Sequence, residues 1–121
     1  MNNIIYALVA VGLGVAISFQ PPINAMMGRA LGSPLLASSI SIFISLIVVV
    51  PVWLIWGNGD GDLSQIRMLP WWVIIGGVIG ALYVAGSIIT APVLGVALFF
   101  ICVVAGQMIG SSINWVPLSL L

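Results

Sequence analysis

Lysine, histidine and glutamate are absent from this 121-residue chain, and its only charges are Arg29, Arg67, Asp60 and Asp62. Soluble domains carry about 25% charged residues; here the share is 3%, beside 63% hydrophobic residues. That balance describes an integral membrane protein. The missing residue types exclude whole classes of function. Without His or Glu, and with Cys102 as the one cysteine, zinc sites, hydrolase triads and intrachain disulfides have no members to draw on. Acid–base chemistry within the bilayer has almost no candidates. Two arginines make no nucleic-acid surface. The reading is of a protein that is no enzyme, holds no metal or cofactor, and binds no nucleic acid. Cys102 lies in an apolar run and reads as a packing residue.

What is present is long apolar stretches. A span needs about 20 apolar residues, and four segments qualify, so the expectation is an all-α integral membrane fold in one transmembrane domain, 1–121. The first span covers 4–31 with a break or kink at 20–22; the others cover 35–56, 70–90 and 93–113. The start, "MNNIIYALVAVGLG", lacks the basic residues of a secretory signal and reads as a retained first helix. "GSP" at 32–34 and "AP" at 91–92 read as tight turns whose proline begins the next helix. The one long loop is 57–69; its "DGD" is too short for a calcium loop and reads as a solvated turn.

Four crossings place the amino terminus, the 57–69 loop and the carboxyl terminus on one side, A, and the two tight turns on the other, B. Arg67 is on A and Arg29 near B, so the arginine excess that orients short loops is zero. Trp53, Trp56, Trp71, Trp72 and Trp115 all fall at side-A helix ends. Aromatic belts normally mark both interfaces. Two oppositely inserted copies would supply one belt each; a compact side B that needs no anchors is the alternative. The first reading gives an antiparallel, dual-topology dimer.

The first span carries its own interruption, "AISFQPPINAMMGRALGSP". From Ile4 to Phe19 a helix rises only about 24 Å, so Pro21 and Pro22 fall inside the membrane. Neither has an N–H to offer the carbonyls of Ile17 and Ser18. Such a break is tolerated in lipid only against protein or a wet cavity, and broken helices recur at transporter sites. Gln20 and Asn24 flank it one turn apart. A proline kink whose amides pair with neighbouring helices is the other reading. Pro21 and Pro22 are the candidate hinge.

Further polar residues repeat at helical spacing: Ser38, Ser41 and Ser45; Tyr83, Ser87 and Thr90; Gln107, Ser111 and Asn114. With Gln20 and Asn24, these stripes could line one uncharged polar cavity for a small-molecule substrate. Each serine taken singly is as well explained by helix packing or by bonding its own backbone. Gly76/Gly80, Ala81/Ala85 and Gly106/Gly110 are small-xxx-small pairs, and the glycine pairs are candidate dimer contacts. Gly28/Gly32 has the same spacing but sits where a helix cap is expected.

The runs "INAMMGRALGSPLLASSISIFISLIV" and "LPWWVIIGGVIGALYVAGSIITAPVLGVALFFICVVAGQMIGSSI" resemble the short YdcZ-type exporters of the inner membrane, within the drug/metabolite transporter superfamily. The likeness runs from about Gln20 to Ile113. It implies a multi-pass protein of the bacterial inner membrane, assembled from two inverted copies, as a homodimer or with a paired homologous subunit. Members of this type often carry a further helix after the fourth, which would move the carboxyl terminus to side B. Related small multidrug exporters couple to protons through a first-helix glutamate; Gln20 does not titrate and cannot take that role. The leading expectation is a small-molecule transporter, or half of one, working by alternating access on neutral, zwitterionic or amphipathic cargo. A passive dual-topology channel and a scaffold subunit that needs a paired partner are the alternatives.

Overall fold

The computed structural model describes residues 2–113, and all regular structure among them is helical. In chain order these are α1 (Asn2–Ile17), α2 (Gln20–Leu31), α3 (Pro34–Ile55), 3-10 helices at Leu63–Met68 and Trp71–Val73, α4 (Ile74–Leu94) and α5 (Val96–Ser112). Asn2–Leu31, Pro34–Ile55 and Trp71–Leu94 are long and apolar enough to cross a membrane; α5 is a shorter apolar helix of 17 residues.

The first span is interrupted where its prolines demand it. A proline at 21 or 22 cannot continue a helix from residue 17 or 18, because its ring clashes with the carbonyl four residues back. The chain ends α1 at Ile17 and closes a tight turn, with Phe19 N–H on the Ala16 carbonyl at 3.2 Å. It then restarts at Gln20 with the prolines in the first helical turn, where a missing N–H costs nothing. The break thus precedes the prolines by two residues.

Local chemistry also explains the next junction. Gly32 ends α2 in the left-handed conformation (φ 77°), and Ser33 caps α3 by accepting the Leu36 N–H at 3.1 Å. Pro34 opens α3, as "GSP" predicts. The turn between α4 and α5 is elsewhere than expected. The α4 helix runs on through Pro92, and the reversal is made by Gly95 alone, at φ 84° and ψ 149°. Pro92 lies in the last turn of α4 and donates no N–H there; the reversal needs a backbone conformation essentially confined to glycine. The long loop is also more ordered than a plain solvated turn. Asp62 caps the 3-10 helix at Leu63–Met68, and the Trp53 indole N–H donates to the Asp60 carbonyl at 2.7 Å.

The packed centre is the three-helix seam of α2, α3 and α4, with α5 leaning on α4. Its buried residues are mostly small: Ala25, Ala37 and Ala91, with Ile88 and Phe99 the large ones. Gly28 is buried at the crossing; a methyl there would lie 3.2 Å from Ile88 Cγ2 and 3.7 Å from Ala37 Cβ. Large apolar side chains point outward instead, as lipid permits, because helices in a bilayer associate by close backbone packing rather than by hydrophobic burial. None of α1 is buried, and α5 buries only Phe99.

Candidate functional site

Polar side chains at membrane depth are costly unless paired, so those inside this bundle carry the information. Three are buried: Asn24 on α2, Ser38 on α3 and Ser87 on α4, one from each helix of the seam. The serines are satisfied by their own helices. Ser38 Oγ donates to the Pro34 carbonyl at 2.7 Å, and Ser87 Oγ donates to the Val84 carbonyl at 2.8 Å. Asn24 differs. It is 4% exposed, and its Nδ2 has no hydrogen-bond partner among the described residues. A helix in this position could carry an alanine at no such cost.

Two grooves flank the seam. One, of about 570 Å³, runs between α2 and α3; Asn24, Ser41 and Ser45 are its polar members, walled by Ile23, Met26 and Ile44. Ser45 Oγ donates to the Ser41 carbonyl at 3.0 Å. The other, of about 940 Å³, lies between the end of α1 and α5, with Ser18, Tyr83 and Gln107 as its polar members. The Ser18 hydroxyl is engaged by the Val15 carbonyl at 2.6 Å. Tyr83 also sits beside Phe99, ring centres 6.4 Å apart, and Phe99 meets Phe100 edge-on at 5.1 Å. Neither groove is lined by a charged side chain. Arg29 lines a third, smaller space of about 250 Å³ against Pro92 and Gly95.

The sequence-predicted residues are therefore not gathered into one cavity within the chain. Asn24, Ser41 and Ser45 share a groove, Tyr83 and Gln107 share another, and Ser38 and Ser87 are enclosed between the helices. Gln20 is half-buried at the first position of α2. Thr90 is exposed, its hydroxyl on the Gly86 carbonyl at 2.7 Å. Ser111 is exposed near the end of α5, bonded to the Met108 carbonyl at 3.0 Å. Asn114 and Trp115 lie outside the described residues. Pro21 is fully buried and Pro22 half-buried. Gly76, Gly80, Gly106 and Gly110 have open space where a methyl would stand, so packing among the described residues makes no use of them. Gly28 and Gly32 divide their expected role: Gly32 caps, while Gly28 is a crossing point.

Residues that spacing did not single out are Ser18, Met26 and Gly95. Met26 could have been suspected from its place beside Asn24, since thioethers wall adaptable sites. Ser18 carried only its position just before the prolines.

The family described as "Putative inner membrane exporter, YdcZ" matches residues 5–114. No curated protein and no solved structure matches the chain. The chain belongs to that family, and with its long apolar helices it is a multi-pass protein of the inner membrane.

Proposed function

We propose that this family member is a small-molecule carrier, or half of one, that works by alternating access as an antiparallel pair on neutral, zwitterionic or amphipathic cargo. The observation that supports a carrier is the Asn24 Nδ2, without a hydrogen-bond partner among the described residues and held one turn beyond the interruption of the first span. A buried donor left unmade costs about 1–3 kcal/mol. A helix that retains it beside a groove is holding it for something outside the chain's own contacts. Gln20, Ser41, Ser45, Tyr83 and Gln107 are the further candidate cargo contacts, Ser38, Ser87 and Ser111 the remaining members of the stripes, and Pro21 and Pro22 mark the hinge.

Four crossings follow if α5 spans. Seventeen residues are the lower limit of what crosses a hydrocarbon core. An antiparallel partner accords with the zero arginine bias, with Trp53, Trp56, Trp71 and Trp72 at one side, and with glycine pairs left open to a neighbour. The absence of a carboxylate from both grooves argues for cargo without net positive charge.

Flux in proteoliposomes tests the carrier, using a panel of neutral, zwitterionic and amphipathic molecules. Saturable flux with counter-exchange, abolished by Asn24→Leu or Gln20→Leu in correctly assembled protein, is the expected result. Unsaturated high flux would make the protein a pore; unchanged flux in both variants would remove these residues from the path. Orientation is read separately with Gln65→Cys, at an exposed position of the 57–69 loop, on a Cys102→Ala background. An impermeant thiol reagent should label about half of the protein in intact cells if insertion is mixed. Labelling of all or none would refute the homodimer.

A further inference from the structure

We propose that the α2–α3 groove binds an uncharged, mostly apolar ligand through a carbonyl-type hydrogen-bond acceptor, and that the Asn24 amide is its donor. This deepens the carrier reading above and rests on it for physiological meaning, but not for its test.

The hydrogen-bond inventory of the groove selects the ligand. Ser45 has committed its proton to the Ser41 carbonyl and offers only lone pairs. The Asn24 Nδ2 makes no hydrogen bond among the described residues, and the half-buried Ser41 brings a hydroxyl to the same groove. The Asn24 amide and the Ser41 hydroxyl therefore stand on adjacent helices at one groove. Nδ2 is enclosed in this structure; the terminal torsion of asparagine is broad, so a ligand acceptor would draw the amide N–H round toward the groove that Asn24 lines. An acceptor placed there takes one bond from Asn24 and a second from Ser41.

Charge is excluded from both directions. No carboxylate lines the groove to receive a cation, and Arg29, the nearest element's only cation, lines a different space. An ion moved into an apolar site without a partner forfeits its hydration and gains too little in return. The remaining walls are Ile23, Met26 and Ile44, with about 570 Å³ between them. That is within the roughly 300–1,000 Å³ of small-molecule sites, and the flexible thioether accommodates more than one shape. A ketone or amide carbonyl on an apolar or aromatic body fits this description; an alkane, a carboxylate and a quaternary ammonium do not.

Benzophenone serves as the probe, since it has one carbonyl, an apolar body and a photoreactive state that inserts into nearby C–H bonds. Protein in nanodiscs of neutral phospholipid is irradiated with it, and adducts are located by peptide mass spectrometry. Adducts are expected on Ile23, Met26 and Ile44, reduced roughly five- to tenfold by Asn24→Leu and about threefold by Ser41→Ala, the range that loss of one hydrogen bond gives. Labelling around Phe100 and Val104, in the other groove, should be unchanged and reports that each variant is folded. Diphenylmethane, the same body without the carbonyl, should protect the wild-type groove poorly and compete well in Asn24→Leu. Equal labelling of Met26, Met68 and Met108, indifferent to both substitutions, would overturn the proposal. The carrier reading fails separately: Asn24-dependent labelling in a protein whose flux ignores Asn24 would leave the site standing and remove transport. Asn24-dependent flux with indifferent labelling would do the reverse.

Discussion

Replacing Asn24 by leucine should make the resting protein more stable while removing its function. Leucine keeps the branched outline at Cγ and takes away the two polar atoms. Asn24 is buried at 4% exposure and its Nδ2 has no partner among the described residues, so its removal relieves about 1–3 kcal/mol of unmade hydrogen bonding. Leucine is also the better helix former, worth a few tenths of a kcal/mol more. Against this stands its larger volume at a buried position of α2, where overpacking typically costs about 1–3 kcal/mol, though the adjoining groove gives the side chain room. The net expected is a gain of about 1 kcal/mol. Reversible unfolding in mixed detergent micelles measures it, with Asn24→Ala as a companion that relieves the amide but leaves a small cavity. Ser38→Ala serves as the control, expected near zero because its hydroxyl bonds only its own helix. A loss of 1 kcal/mol or more in both Asn24 variants would refute the reasoning, since it would mean the amide is paired in the native membrane protein. Stability and flux moving in opposite directions is the signature of a polar group kept for a ligand.

Other expectations follow from single positions. Gly95→Ala should destabilise the protein by about 1–3 kcal/mol, because φ 84° with ψ 149° is strained for any residue with a Cβ; an unfolding curve superimposable on wild type would show that the α4–α5 turn is made differently. Gly28→Val should cost more than Gly28→Ala, both through the contact with Ile88, and the pair of midpoints orders the two. Asp62 is held below the usual carboxylate range by the Ser64 hydroxyl, then by the Ser64 N–H and the Gln65 side chain. Its cap is therefore fully present above the unfolded carboxylate value near 3.8 and lost as pH falls through the lower folded value. The Ser64 amide resonance should shift across that acid window in wild type and stay flat in Asp62→Asn.

Much of the chain was legible because it is written in local chemistry. Apolar length predicted four spans, of which three are long enough to cross and the fourth, α5, is a shorter apolar helix; "GSP" marked the α2–α3 turn, and two adjacent prolines marked an interruption in the first span. The α4–α5 turn was misplaced because proline is a loud signal and Gly95 a quiet one, one glycine among fourteen. The polar stripes were the hardest to place. Spacing puts Ser38, Ser41 and Ser45 on one face of α3, and they do follow one face, from the core at Ser38, through half-burial at Ser41, to exposure at Ser45. What spacing does not hold is how that face is turned toward its neighbours. In a soluble helix the apolar stripe settles the rotation. Here nearly every face is apolar, and rotation is decided instead by where small residues such as Gly28, Ala25 and Ala37 let backbones meet.

That distinction bears on how such a fold could change shape. The seam of α2, α3 and α4 holds the small buried residues, the tight crossing at Gly28 and the satisfied serines, so repacking it would break many contacts at once. The two helices outside it, α1 and α5, are joined differently. A two-residue turn at Ser18–Phe19 connects α1 to the seam, and Gly95 alone connects α5; α1 buries nothing and α5 only Phe99. Motion on the microsecond to millisecond scale is drawn from elements with few buried contacts. The larger groove lies between those two helices, with Tyr83 and Gln107 facing into it. The smaller groove, with Asn24, is built on the rigid seam. If the proposed carrier holds cargo in a fixed frame and opens elsewhere, the Asn24 groove on the seam and the groove between α1 and α5 are the surfaces that would divide those tasks.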